Sequence, residues 1–531
     1  MGIIIFGLKI LALALFVSTC LLVSLEGTRA QELDAKTVKS IREQLSAKPD
    51  GQSVGDANGA DNSALTEKDK DPLVRMEQLE NRVRKLENRM NLLEQNPVKN
   101  GGSAGITESV NKPGRLDASK SENKKPMRAK ERLNALAESC LAGCTIDDIS
   151  KVNQISQSLM PGSTITLAPG VYKIGKSIQL LGVGSDTDTK PLTLRAEKLG
   201  TVRIEANLLV AIRVQQPNWI IENLELVGVC QKDSSCEHAF QLIGPVSNTI
   251  IRNNRVREFN SAIKGGGKSG KFANDVLIEG NHIFNSAVRN TGLPVTQIDI
   301  NGGKRWKVID NFIADFGKGG GNHTSYAGFL KSNSRNGVFA RNLVICEWRH
   351  KGGERLGLSF GGGGSSNPDV CEDRDCSTFH TGGLIANNII MNCSDVGIYL
   401  NRSKDTKVYN NTLINTTGID ARFDVTTAVI ENNIVLGRIR ERDGGSAVQK
   451  NNIVDGLFSS EVEFTNPDKG DLSVKSGGDL LMKGALPPEV TTDFCGNPRT
   501  PNSATIGAIA YGSGNCDVSA RIRRALEGLK E

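Results

Sequence analysis

The sequence predicts an all-β chain wound as a single-stranded, right-handed parallel β-helix. Two observations carry that expectation: a repeat and a composition. The repeat is a short apolar run, a turn containing Asn, and a second short apolar run. It aligns Asn254, Asn281, Asn311, Asn342, Asn388, Asn411, Asn433 and Asn452, at spacings of 27, 30, 31, 46, 23, 22 and 19 residues. Periods in the twenties with β-like runs give one solenoid coil per repeat. Asn suits such a corner because it tolerates the left-handed region and bonds its own backbone. Stacked Asn side chains also ladder inside a coil. The composition agrees: 57 Gly and only 5% aromatic residues fit repeated tight turns better than packed helices.

The elements follow in chain order. Residues 1–30 read as an export segment, with Lys9, an apolar run from Ile10 to Leu25, and Thr28-Arg29-Ala30 as a cleavage site. It is either a cleaved signal peptide or an uncleaved anchor attaching the chain to a membrane through residues 3–25. Residues 31–71 form a polar, disordered linker. In residues 72–96, Met76, Leu79, Val83, Leu86, Met90 and Leu93 recur at alternating spacings of 3 and 4, the seam of a coiled coil. Arg82-Val83-x-x-Leu86-Glu87 resembles a motif that favours three parallel strands, so a homotrimer is expected, with this short seam assisting rather than making it. Residues 97–131 are a basic linker. Residues 132–160 form a cap, helical over Ile146–Ser158, that covers the open apolar end. The β-helix runs over 161–512, and 513–531 form a helical tail.

Charge and cysteines bound the setting. The net charge is +6, and Lys112–Arg132 alone holds eight Lys or Arg against three Asp or Glu. The rest is nearly neutral, so nothing argues for nucleic acid as a partner. Ten of the eleven Cys lie beyond the export segment. The close pairs Cys140/Cys144, Cys230/Cys236, Cys371/Cys376 and Cys495/Cys516 read as loop staples of a secreted or periplasmic chain. Coil stacking predicts a fifth bond, Cys346–Cys393, because the two follow aligned Asn residues in adjacent coils.

The strand before each Asn turn gives the candidate groove. Aligning Ile263, Ile298, Leu330, Leu358, Ile398, Ile419 and Ile439 inward turns Lys264, Asp299, Lys331, Ser359, Tyr399, Asp420 and Arg440 outward. A neighbouring outward column holds Asn301, Asn401, Arg422 and Arg442. An ordinary solvated face is the plainer alternative. The clustering of Arg, Asp, Tyr and Asn beside the long insertions favours a binding groove.

Two segments resemble the ends of extracellular β-helix proteins of the pectate-lyase-like superfamily: Met160–Tyr172, with Ala168-Pro169-Gly170, and Asp493–Arg499 followed by Ile506-Gly507-Ala508. The coil Gly328-Phe329-Leu330-Lys331-Ser332-Asn333-Ser334-Arg335-Asn336-Gly337-Val338 resembles the Lys-Ser coil of the chondroitinase-B and alginate-lyase family of polysaccharide lyases. The resemblance implies that Lys331 is the base that removes the proton α to a uronate carboxylate. It also implies calcium held by two upstream acids and an assisting Arg in the next coil. Here Tyr326, Ala327, Gly328 and Phe329 stand where the acids belong, and Ser359 stands where the Arg belongs.

Without those acids, the carboxylate charge must be offset by cations, for which Lys264, Arg349, Lys351, Arg355 and Arg422 are available. His323 and His380, in Gly-rich insertions, are alternative bases, and Arg355 is the assisting cation of the catalytic set. Hydrolysis needs two facing carboxylates, and Asp299 and Asp420 lie several coils apart. Two readings follow. The chain binds an acidic polysaccharide and cleaves it by β-elimination, or it is a non-catalytic, trimeric carbohydrate-binding or surface-attachment protein.

Overall fold

A computed structural model describes residues 129–183, 190–365, 367–455, 462–467, 470–476, 478–500, 505–511 and 516–527. The export segment and the coiled coil lie outside the described residues. Among those residues, no helix is long and apolar enough to cross a membrane.

Three long parallel sheets make the body. The first runs from Cys144–Ile146 to Ser446–Lys450, the second from Gly170–Ile174 to Ile453–Asp455, and the third from Ile178–Leu180 to Arg438–Arg442. Each coil gives one strand to each sheet, so the chain is a parallel β-helix. The apolar residues stack in register down its interior. On the first sheet the column Ile165, Leu194, Ile221, Ile251, Ile278, Val308, Phe339, Ile385, Val408 and Ile430 is fully buried. Each such side chain stabilises the fold by about 1.5–3 kcal/mol. The column meets Gln449 at its last rung, where the core ends.

The eight aligned Asn residues form the expected ladder, with one refinement. Each Oδ1 accepts from both the backbone N–H and the Nδ2 of the Asn one coil earlier, from Asn254/Asn281 to Asn433/Asn452, at 2.8–3.1 Å. Each Nδ2 also donates to a carbonyl of the first sheet in the preceding coil, as Asn342 does to Val308 at 2.8 Å. The left-handed residue is not the ladder Asn but the one before it: Asn253, Gly280, Asp310, Arg341, Asn387, Asn410, Asn432 and Asn451 all have positive φ.

The ends differ in detail from the expectation. The cap helix spans Ser150–Ile155, because Cys144–Ile146 instead pairs with Ile165–Leu167 as the first strand. A second helix, Ala129–Ser139, packs beside it. The rungs stop at Asp455 rather than Gly512. The following segment returns along the outside of the second sheet, whose outward residues are apolar and need cover. Phe464, Leu472, Phe494, Ile506 and Ala508 pack with Phe284, Phe312, Leu343, Ile389 and Ile434. The tail helix spans Ser519–Leu526, and its Arg521 binds Asp310.

All five expected disulfides form: Cys140–Cys144, Cys230–Cys236, Cys346–Cys393, Cys371–Cys376 and Cys495–Cys516. The Cα atoms of Cys346 and Cys393 lie 4.8 Å apart on adjacent coils. The close pairs staple loops as expected, and several of their sulfurs are buried as well. Cys236 is fully buried and belongs to the main core, so its bond ties the loop from Cys230 into the interior. Cys516 packs against the apolar cluster outside the second sheet, so its bond to Cys495 holds the start of the tail on that cover. In both, the apolar surface of the sulfur is removed from water as well as cross-linked.

Two measurements test this packing. Asn342→Ala leaves the backbone N–H of Asn311 without an acceptor in the core and removes one of the acceptors of its side-chain amide, at about 1–3 kcal/mol for each unmade bond. Urea unfolding is expected to show a loss of about 3 kcal/mol, whereas Asn452→Ala at the half-exposed last rung loses under about 1 kcal/mol. The second concerns His282, beneath the tail. Burial, then Arg255, Arg524 and Arg521, lowers its pKa from 6.5 to about 4. A lowered histidine contributes stability above its unfolded pKa and loses it as the pH falls from 6.5 toward 4. Over that window the wild type is expected to lose roughly 2–3 kcal/mol more than His282→Gln in denaturant melts.

Candidate functional site on the third sheet

The outward face of the third sheet carries the polar strip, but its register differs from the expected one at one coil. Ile298 pairs with Gly328, and Gly328 with Leu358; Leu330 instead lies between Ile300 and Phe360. The slip is two residues, so Lys331 still faces outward, but it moves one column over. The first column reads Lys264, Asp299, Phe329, Ser359, Tyr399, Asp420 and Arg440. Asn301 pairs with Lys331 in the second column, which resumes as Asn401, Arg422 and Arg442.

The glycine turn after Phe360 explains the slip. A Cβ on Gly362, at φ +49, would lie 2.7 Å from the Phe329 ring, so this turn rests on an outward-facing aromatic residue. The Lys331 ammonium donates to Gly364 O at 2.8 Å and lies 4.7 Å from the Phe329 ring centre. Beyond the turn, the insertion stapled by Cys371–Cys376 is tied down by Glu372, which binds Lys304 and accepts from Gly303 N–H.

The strip is internally paired. Lys264 binds Asp299 at 2.8 Å, and Asn301 donates to the same carboxylate at 2.9 Å. Burial works against the Asp299 charge, but Lys264 and Lys331 together hold its pKa below the ordinary value. Asp420, 2% exposed, receives Arg440 through two bonds and Arg442 through a third. Arg422 binds Asp443 and the Tyr399 hydroxyl. Asn401 donates to Gly362 O at 2.7 Å, and its buried Oδ1 has no partner. Ser359 turns its hydroxyl to Tyr399 O and Gly362 N–H and is fully buried.

The expected catalytic set does not come together. His380 is buried, stacked 3.9 Å on Phe360 with its Nε2 accepting from Gly337 N–H, and burial alone takes its pKa to about 3. His323 is exposed at the start of the Thr324–Lys331 strand, roughly 25 Å along the backbone from Lys331. Arg355 is fully buried at the other end of its strand, donating to Cys346 O and Gly352 O beside His350. Arg349 is held by Asp315. The residues do not fit calcium either. Aromatic rings occupy the expected acid positions, and no three acidic, His or Cys side chains converge among the described residues.

The sequence reading missed the N-terminal half of this face. Tyr326, Leu356, Val396 and Tyr399 form an outward apolar cluster, with Tyr326 edge-on to Phe329 at 5.4 Å. Glu354 and Asp395 flank it. Glu354 is exposed and accepts from the Thr324 hydroxyl at 2.7 Å. Asp395 is half-buried, accepts from the Thr417 hydroxyl at 3.3 Å, and has its pKa raised by burial and then by Glu354. The available signal was the Gly357/Gly397 pair. A Cβ on Gly357 would lie 2.2 Å from Gly397 O, a close approach that marks the irregular rung carrying Asp395.

No family model and no curated protein matches the chain. Among solved structures, it is similar to a pectate lyase at 12% identity, covering 66% of this chain and 88% of that one, with a TM-score of 0.43. It is also similar to a PL6 family polysaccharide lyase from Pseudopedobacter saltans, at 14% identity, 68% and 98% coverage and a TM-score of 0.30. A mannuronan C-5 epimerase module from Azotobacter vinelandii gives 14% identity, 59% and 92% coverage and a TM-score of 0.36. The fold itself rests on the strand pairing: the chain is a parallel β-helix, the architecture that the family resemblance implied.

Proposed function

We propose that the chain is an exported protein that binds an acidic polysaccharide along the outer face of the third sheet. The observation that carries this reading is the column Asn301, Lys331, Asn401, Arg422 and Arg442. It holds three cations and two amides with no carboxylate among them, on five of six successive coils, with Gly361 at the interruption. Coils recur about every 4.8 Å, so a regular anionic polymer meets charged or amide donors repeatedly along one line. Lys264, Asp299, Tyr399, Asp420 and Arg440 border that line. The Asp299 and Asp420 carboxylates orient its cations rather than cancelling the column. Five disulfides support an oxidising compartment. The heptad seam supports a homotrimer, which multiplies weak contacts along a polymer.

Binding without β-elimination is the form of this reading that the geometry favours. Elimination at Lys331 needs a second cation to offset the uronate charge, and Arg355 and Arg349 are held elsewhere, by Cys346 O and Asp315.

Titration calorimetry with a panel of polyuronates tests the reading. Binding is expected, and Arg422→Ala or Lys331→Ala is expected to weaken it by about 1–3 kcal/mol each. Added salt should weaken it further, and absorbance of an unsaturated product should not rise. Unchanged binding in both variants would put the groove on another face. Assembly is tested separately by sedimentation: a chain beginning at Gln31 is expected to be trimeric and one beginning near Lys130 monomeric. Two monomers would remove the coiled coil from the proposal.

A further inference from the structure

The acidic half of the third sheet stands apart from the cation column. Asp395 precedes Asn401 by six residues, roughly 20 Å along an extended strand. Two carboxylates lie there on adjacent coils, in unlike surroundings. Asp395 N–H donates to Arg355 O at 3.2 Å, which sets Asp395 beside the Glu354–Leu356 stretch of the previous coil. The rise between coils and an offset of about two residues separate the Asp395 and Glu354 backbones by about 8 Å. Side chains at that separation span the roughly 5–10 Å between carboxyl groups that glycosidic cleavage requires.

Their environments differ as such chemistry needs. Asp395 is half-buried beside Val396, and burial, then Glu354, raises its pKa. Glu354 is exposed and accepts from the Thr324 hydroxyl. Independently, the Tyr326 hydroxyl makes no hydrogen bond with any described residue. It lies under the glycine turn, 4.0 Å from where a Cβ on Gly363 would stand. It interacts with both Glu354 and Asp395, and burial raises its pKa, so it remains a donor. A phenol with no acceptor among the described residues, an apolar cluster and two carboxylates lie together on this part of the face.

We propose that Asp395, Glu354 and Tyr326 form a second carbohydrate site that hydrolyses a glycosidic bond between uncharged sugars. Uncharged sugars are specified because the Glu354 and Asp395 carboxylates repel uronates. Asp395 gives its proton to the bridging oxygen as the bond from that oxygen to the anomeric carbon breaks. Glu354 takes a proton from a water molecule whose oxygen bonds to the anomeric carbon. One water is consumed, one hemiacetal and one alcohol are released, and solvent returns the proton from Glu354 to Asp395. Tyr326 donates to a ring hydroxyl and positions the sugar on Leu356 and Tyr399.

The test uses the full chain, a panel of neutral oligosaccharides and 4-nitrophenyl glycosides, and a panel of piperidine iminosugars as binding probes. Hydrolysis is expected from the wild type, with an upper pH limb set by Asp395. Asp395→Asn and Glu354→Gln should each lower kcat by 100-fold or more, and Tyr326→Phe should mainly raise KM. Polyuronate binding at the cation column reports folding and should survive in all three variants. Its absence in the wild type would overturn the previous reading and leave this one standing. No hydrolysis and no iminosugar binding by the wild type, or full activity in Asp395→Asn, would overturn the present one.

Discussion

At the corner between the first and second sheets, the backbone of one coil depends on a side chain of the next. The Oδ1 of Asn342 takes the N–H of Asn311, and the Oδ1 of Asn388 takes that of Asn342. These groups are buried, so an unmet donor would cost more than a made bond gains. A coil shifted by one residue would unpair both and also turn its apolar column outward. The ladder therefore fixes where each coil from Asn254 to Asn452 begins, whatever happens between two corners. The interval from Asn342 to Asn388 is the longest, and it still returns to register. Its surplus leaves as the insertion after Phe360, while Cys346–Cys393 ties the two coils together.

The same constraint explains what the sequence made legible. The ladder Asn residues must be Asn and must recur, so the coil count over that region and the Cys346–Cys393 bond could be read from spacing. Spacing also paired Cys230 with Cys236 and Cys495 with Cys516, but it could not show that Cys236 enters the core or that Cys516 joins the outer cover. The third sheet has no such marker, and its register was read from apolar alternation alone. Alternation has a period of two, so it cannot distinguish Gly328 from Leu330 as the partner of Ile298. Phe329 compounds this, because a large apolar residue on an outward position is stable only under the glycine turn of another segment. His380 and Arg355 failed as site residues for a related reason. Sequence shows a histidine beside glycines and an arginine near a strand, but not that Phe360 covers one ring or that Cys346 O holds the other group. The position of Asp395 was invisible because it depends on the irregular rung that sets it beside the Glu354–Leu356 stretch.

The polar strip also shows how a rigid scaffold holds charge. Asp420 is nearly inaccessible yet faces two arginines, and Asp299 faces Lys264 and Asn301. These acids fix the directions in which the cations point, which reduces the side-chain entropy lost when a ligand arrives. They also mean that a bound carboxylate competes with one already present, so each rung contributes modestly. Affinity on such a face comes from the number of rungs engaged at once, which suits a polymer better than a single sugar.

The glycine turn joins the two halves of the face. Gly361 has a φ of +103, and a Cβ there would lie 1.9 Å from Asn401 O, so no other residue fits without moving the backbone. From this position, the turn offers Gly364 O to Lys331 and Gly362 O to Asn401, both in the cation column. It also roofs Phe329 and the Tyr326 hydroxyl on the acidic side. Four successive glycines lower the barrier to moving such a turn, because each has more backbone freedom than any other residue. The stapled insertion opposes that freedom, since Glu372 anchors it to Gly303 and Lys304 two coils away. The same turn therefore supports Lys331 and Asn401 through its carbonyls and covers Phe329 and Tyr326 with its main chain.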